Sequence, residues 1–473
     1  MSSRGSQSPL DDGEPLRLAP LSMQQEGLHF FDRQAPDSAV YSVPYRFDLE
    51  GPLDVEALRR ALEALVQRHE ILRTRFIERD GAYWQQIMSE TAVTLPCEPL
   101  TVTGDEPELE AELERLAAAL ADAPFDLERG PLMFASLRQL SPTRHALFLR
   151  MHHIVFDGWS YGVLTRDLDL LYRAARSTRP APLPALTVQF ADYARWQRER
   201  LASGALDDVL AYWRARLVGA PALVSLPTGL PRPAVAGNTG RTLEQAWPEE
   251  LGKGLVGLAR ALGVSPFVVM ATAVAALLAR YTGQRDVCLG FPVDGRGHSE
   301  LPVEDLIGYF SNTLVLRAQV EPELSFRQLV ERVRDAVAGA IEHGELPFDK
   351  LVEALAPTRT LAHHPLFQVC ITYQAADEVW RMGNVKARHR PCPSGISKFD
   401  VTFDFERSGD QFRVRLEYAD ELYLEPTMWD VLAELQRLIA RGIAEPDGGL
   451  ADTSGPPAAT QAAAPARSLR KRR

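Results

Sequence analysis

The stretch Met151-His152-His153-Ile154-Val155-Phe156-Asp157-Gly158-Trp159-Ser160 constrains this chain more than any other. It closes a segment, Arg144 to Val155, that reads as a strand with Ala146, Leu147, Phe148 and Leu149 as an unbroken apolar run. That run calls for burial, so the fold must enclose the strand and bring its polar end to a boundary. Successive side chains leave a strand on opposite faces, so two neighbouring histidines there face different surroundings. One can look into a cavity while the other packs. The pattern H-H-x-x-x-D-G is asymmetric by construction and points to one working histidine.

An imidazole with an ordinary pKa of about 6.5 is largely neutral near pH 7 and can accept a proton from an attacking amine, alcohol or thiol. His-x-x-x-Asp could also offer two ligands to a metal. A metal site needs three or four, and no H-E-x-x-H or Cys/His cluster supplies the rest. A buried pair serving packing alone is the third reading, and the residues by themselves leave all three open.

At 473 residues the chain has two to three domains' worth of core. Its formal charge of -11 argues against nucleic acid as a general partner. The four cysteines, Cys97, Cys288, Cys370 and Cys392, match no zinc or redox spacing and read as free thiols of a reducing compartment. Met1 to Pro15 lacks an apolar stretch, so no signal peptide is expected. The longest apolar run, Phe267 to Ala279, is too short to cross a bilayer. The expectation is a cytoplasmic protein with no membrane contact.

Composition and periodicity divide the chain into a disordered N-terminus (1–15), an N-terminal lobe (16–180), linker helices (181–217), a C-terminal lobe (218–441) and a disordered tail (442–473). The tail ends in a basic tip, Leu469 to Arg473, read as solvated chain. In the first lobe a helix pattern runs over Val55 to Glu70. Strands follow at Ile71 to Phe76 and Tyr83 to Met88, then a helix over Pro107 to Ala121 and the histidine strand. The second lobe opens a helix at Ser265-Pro266, an N-cap followed by proline at the first helical position, and stops it at Gly283. Each lobe mixes helices with a sheet, which predicts two α/β lobes around a cleft.

Several further stretches, in order, carry a resemblance. Ser22-Met23-Gln24-Gln25-Glu26-Gly27 fits S-x-x-Q-x-G, and Arg68 to Thr74 fits R-H-E-x-L-R-T. Phe190 to Gln197 fits D-[FY]-A-x-W-Q around Asp192, and Gly290 to Arg296 resembles G-x-P-x-x-x-R. Ile307 to Leu314 fits I-G-x-F-x-N-T, His343 to Asp349 fits H-x-x-x-P-F-[DE], and Arg359 through Gln368 fits a last motif. With the histidine pair, this set resembles the condensation domains of nonribosomal peptide synthetases, in the chloramphenicol acetyltransferase-like superfamily.

The resemblance implies an α/β fold of two acetyltransferase-like lobes forming a V-shaped pseudo-dimer with a central tunnel. It implies an acyltransferase that joins a carrier-protein-bound acyl thioester to an amine or alcohol acceptor, carrier-bound or free. The chain itself would bind no cofactor and no metal; the donor would ride on the 4'-phosphopantetheine arm of a partner carrier. A free-standing enzyme with its carriers supplied in trans is expected, since Gly448-Gly449-Leu450-Ala451 has alanine where a carrier's serine would stand, and the expected state is a monomer.

The resemblance makes His153 the catalytic residue, with His152, Asp157 and Gly158 in support. Asp157 becomes a structural carboxylate paired with Arg68 or Arg296. Gly158 permits a tight turn and room for the arm, and Trp159 packs. His69 and the second pair, His363-His364, read as scaffold, and Lys398-Phe399-Asp400 as part of a crossover. Two other readings stand beside this one: an epimerase relative that deprotonates an α-carbon, and a catalytically silent platform that recruits proteins to an assembly line.

Overall fold

The computed structural model describes residues 14–100, 105–177, 179–356, 360–375, 379–392 and 395–450. Arg359, Ala451 and the basic tip lie outside these residues. Two six-stranded sheets dominate. The first runs, edge to edge, Val379–Met382, Val385–Arg390, Ser42–Glu50, Arg144–His152, Met133–Ser141 and Cys97–Pro99. The second runs Asn312–Gln319, Asp286–Val293, Val369–Ala375, Val401–Ser408, Gln411–Ala419 and Gly240–Ala246. A three-stranded sheet of Pro15–Pro20, Ala82–Met88 and Thr74–Arg79 flanks the first.

The histidine strand is central in its sheet and covered on both faces, as its apolar run requires. Ala146 and Phe148 meet Leu113 and Ala117 of the Glu106–Ala121 helix, while Leu147, Leu149 and Met151 enter the main N-terminal core. In the second half the helix Pro266–Thr282 is buried on nearly every side, capped by Ser265 and ended by Gly283 at φ +72°. Among the described residues no single helix is long and apolar enough to cross a membrane.

The halves exchange segments, which the expected boundaries at 16–180 and 218–441 did not anticipate. The hairpin Val379–Met382/Val385–Arg390 lies far down the chain yet closes the edge of the first sheet, with Arg390 opposite Arg46 and Lys386 opposite Glu50. Val303, Leu306, Ile307 and Phe310 also belong to the N-terminal core. Two helices, Phe190–Ala202 and Asp207–Leu217, link the halves, and Trp213 Nε1 donates to His343 O at 2.8 Å.

Both outer boundaries move as well. Pro15 begins a strand, and the boundary at 442 falls inside the helix Glu425–Ala444. Beyond that helix Leu450 is buried and its N–H donates to Leu324 O at 2.8 Å. A leucine anchoring the chain this way keeps residues 445–450 packed rather than loose.

Candidate active site

The histidine strand ends at His152, and His153–Val155 forms one turn of 3-10 helix. Strand alternation therefore does not separate the two rings, as the sequence reading supposed; the backbone turns between them. The His152 imidazole faces inward against Phe125, with ring centroids 5.4 Å apart, and its Nδ1 accepts the Ile154 N–H at 3.1 Å. Its Nε2 lies 3.9 Å from an Asp32 carboxylate oxygen. Burial, aided by the neighbouring His153 and Lys398, pushes its pKa down to about 3.

His153 is half-buried and held at two points. Its N–H donates to Tyr41 O at 2.8 Å, and its ring Nδ1 lies 2.8 Å from Phe156 O. A carbonyl oxygen can only accept, so Nδ1 carries the hydrogen in this bond. A neutral ring with hydrogen on Nδ1 has its lone pair on Nε2. Burial first, and the Lys398 charge second, lower the His153 pKa to about 4, so the imidazole is neutral at pH 7. Tyr309 stands edge-on to it at 4.9 Å between centroids. What the arrangement offers is one oriented, neutral proton acceptor.

Asp157 makes no hydrogen bond to His153. It caps the Gly158–Ala175 helix, accepting the Ser160 N–H at 2.9 Å and the Ser160 hydroxyl at 2.7 Å. Its other oxygen accepts from Arg296 at 2.9 Å and from the Phe310 N–H at 3.0 Å. Arg296 is itself buried and lies over the Phe310 ring at 3.9 Å. Five donors on one buried carboxylate satisfy it without any help from the imidazole.

Arg68 is not a partner of Asp157. Its Nε donates to Asp167 at 2.8 Å and another nitrogen to Pro184 O, because the end of the Val55–Arg68 helix packs against the middle of the Gly158–Ala175 helix rather than its start. His69 joins the same aspartate at 3.1 Å and accepts the Ile307 N–H at 3.4 Å, a scaffold position. Gly158 opens a helix at ordinary φ, and nothing lies within 4 Å of where a Cβ would stand, so no tight turn demands glycine there. Trp159 is exposed rather than packed, its indole N–H on Glu304 O at 3.0 Å. His364 stacks among Phe348, Phe367 and Phe399, away from the His153 turn.

Several residues at the site carried no role in the sequence reading. Ser160 Oγ, its one hydrogen given to Asp157, accepts the Gly308 N–H at 3.0 Å, latching the two halves. The D-x-x-S spacing, an N-cap signal, was the legible clue. Tyr41 and Tyr309 line His153 and were invisible locally. Gln25, in the capping box of the Met23–Gln34 helix, donates to Ile154 O at 3.1 Å and ties that helix to the histidine turn.

Residues 16–463 match the family profile described as Condensation domain. The chain belongs to that family. This condensation domain is 40% identical over 443 residues to phosphinothricin tripeptide synthetase PhsC of Streptomyces viridochromogenes, covering 93% of this chain and 40% of that synthetase. The domain thus spans less than half the length of that relative.

Its fold matches the X-domain in the complex of the X-domain and OxyB from teicoplanin biosynthesis, with a TM-score of 0.81, 27% identity and coverage of 96% and 99% of the two chains. It also matches the first condensation domain of the calcium-dependent antibiotic synthetase in complex with a substrate analogue, with a TM-score of 0.80, 25% identity and coverage of 93% and 99%. The condensation domain accordingly has the two chloramphenicol acetyltransferase-like lobes of this family, of the nonribosomal peptide synthetase type.

Proposed function

We propose that this condensation domain joins an acyl thioester, held on the phosphopantetheine arm of a carrier protein, to an amine or alcohol acceptor at His153. The observation that carries the reading is the hydrogen bond from His153 Nδ1 to Phe156 O, which leaves the Nε2 lone pair of a neutral imidazole unblocked. In this reading the lobes form a V around a tunnel, and donor and acceptor enter from opposite ends. Bringing two reactive ends together supplies much of the rate, since it converts a bimolecular encounter into a local one. The thioester is already activated, so the remaining work is positioning and proton acceptance. His152 and Asp157 hold the turn, and Arg296 holds Asp157.

Mass spectrometry of products, after mixing the protein with an acyl-loaded carrier and amine or alcohol acceptors, tests the reading. Amide or ester product from the wild type and none from His153→Ala supports it. Comparable product from both proteins removes the role of His153. The match to an X-domain, which has been captured in complex with OxyB, favours one second reading, a recruitment platform. No product with any carrier-bound acceptor, together with tight binding of a separate enzyme, would favour that platform.

A further inference from the structure

Lys398 reaches the histidine turn from the opposite half of the molecule. It lies in the link between the hairpin strand Val385–Arg390 and the strand Val401–Ser408. Its Nζ sits 5.3 Å from the centroid of the Tyr41 ring, and the Tyr41 carbonyl holds the His153 N–H. The side chain keeps accessible surface, while the protein packed around it lowers its pKa.

The link that carries Lys398 is pinned on both sides. The Ser397 N–H donates to Asn238 O at 2.9 Å, and the buried Asp400 carboxylate accepts from Arg232 at 3.0 Å. Among the described residues the ammonium makes no close ion pair; burial lowers its pKa, and the Glu417 carboxylate and Cys370 oppose that shift from a distance. A pinned backbone holding a cation over the Tyr41 ring, next to the segment that carries the candidate base and only partly countered by Glu417, is the arrangement expected of a preorganised electrostatic group.

We propose that Lys398 is a further catalytic residue, the cation that meets the oxyanion formed as the acceptor attacks the thioester beside His153. This rests on the acyl-transfer reading above. The acceptor's lone pair adds to the thioester carbonyl carbon, and the C=O π pair moves to oxygen. The acceptor's proton passes to His153 Nε2. Collapse restores the C=O bond and breaks the C–S bond, and the departing pantetheine thiolate takes the proton back from His153. Lys398 gives up no proton; its charge opposes the transient negative oxygen.

The same charge disfavours protonation of His153, a second effect with its own readout. The other ionisable groups around that imidazole are His152 and Asp157 on its own segment, with Arg296 behind Asp157. Tyr309 and Tyr41 face it from neighbouring segments, with Asp349 beside those two tyrosines.

The test uses the whole chain with Lys398→Met, Lys398→Arg and Lys398→Gln, folding being checked by thermal melt. Turnover is measured with a loaded carrier and acceptor. The His153 imidazole is titrated by NMR in histidine-labelled protein and assigned with His153→Asn. Losing an oxyanion donor costs about 10²–10³ in kcat. Lys398→Met and Lys398→Gln should show a loss of that order with KM little changed, and Lys398→Arg should recover part of it. In Lys398→Met the His153 titration should move to higher pH.

Turnover of Lys398→Met within about threefold of wild type, or an unmoved His153 titration, would overturn the proposal. A wild type that makes no product, in a protein whose His153 titration still shifts, sinks the acyl-transfer reading while leaving Lys398 beside the imidazole.

Discussion

Arg296 donates to both carboxylate oxygens of Asp157, at 2.9 Å and 3.3 Å, from 139 positions further along the chain. Both side chains are buried, and each also serves Ser160. The aspartate of the histidine motif is therefore a latch. It fixes the start of the Gly158–Ala175 helix, and with it the turn that carries His153, against the 295–310 segment of the second half. The imidazole is oriented by the Phe156 carbonyl instead, which separates the chemistry from the clamp.

Breaking that clamp from either side should cost stability before chemistry. Removing one partner of a buried ion pair leaves an uncompensated charge, typically a loss of about 3–5 kcal/mol. Asp157→Ala and Arg296→Ala should both lower the urea midpoint and the soluble yield by that order. Arg68→Ala should cost less, because Asp167 keeps His69 and Arg166. Equal losses in Arg68→Ala and Arg296→Ala, read by chemical denaturation, would refute the ranking.

Local signals were legible wherever short-range physics decides the outcome. The predicted helices over Pro107 to Ala121 and from Ser265-Pro266, and the strand over Tyr83 to Met88, match Glu106–Ala121, Pro266–Thr282 and Ala82–Met88. The Val379–Arg390 hairpin was missed because it is short and pairs with a strand more than 300 positions away (Arg390 faces Arg46), a partner no local pattern encodes. The choice of Arg296 over Arg68 was illegible for the same reason, since both lie in matched motifs and only the packing of two helices separates them. Lys398 could be placed in a link, but not beside a histidine from the other half.

Acidification should destabilise the fold well before the carboxylates titrate normally. Burial lowers His152 to about 3 and His153, His364 and His389 to about 4. Between the ordinary imidazole value of about 6.5 and these folded values, the unfolded chain binds protons the folded chain refuses. Stability is therefore complete above pH 6.5 and is lost as pH falls toward 4. Asp32 and Asp349, raised to about 6 by burial, act in the opposite sense between about pH 6 and 4. Burial also lowers His29, His69 and His145, so seven histidines oppose these two aspartates and the net slope follows the histidines. Urea midpoints from pH 7 to 5 should fall, and His364→Phe should flatten the slope by up to about 1.4 kcal/mol per pH unit.

The pH–rate profile should carry the same signature at a single residue. With His153 lowered to about 4, its neutral form dominates from pH 5 upward. The acid limb of kcat/KM should then sit near pH 4, not at the ordinary imidazole value near 6.5. Circular dichroism at each pH separates this limb from unfolding. A limb near 6.5 in a fully folded protein would mean that His153 is not the desolvated base described here.

Two motif glycines should behave in opposite ways, and the contrast locates substrate. A Cβ at Gly308 would stand 2.2 Å from a Phe190 ring carbon and 2.8 Å from Phe310, both in the packed core. Neither ring has room to retreat, so Gly308→Ala should cost at least about 1–3 kcal/mol as overpacking. Gly158 has nothing within 4 Å of the Cβ position and sits in a helix start at ordinary φ. Gly158→Ala should leave the melting temperature unchanged or raise it, by about 0.4–1 kcal/mol of stability from the restricted unfolded chain. Loss of condensation activity in a Gly158→Ala protein of undiminished stability would then assign the glycine to the space an incoming arm occupies. Full activity would make it dispensable.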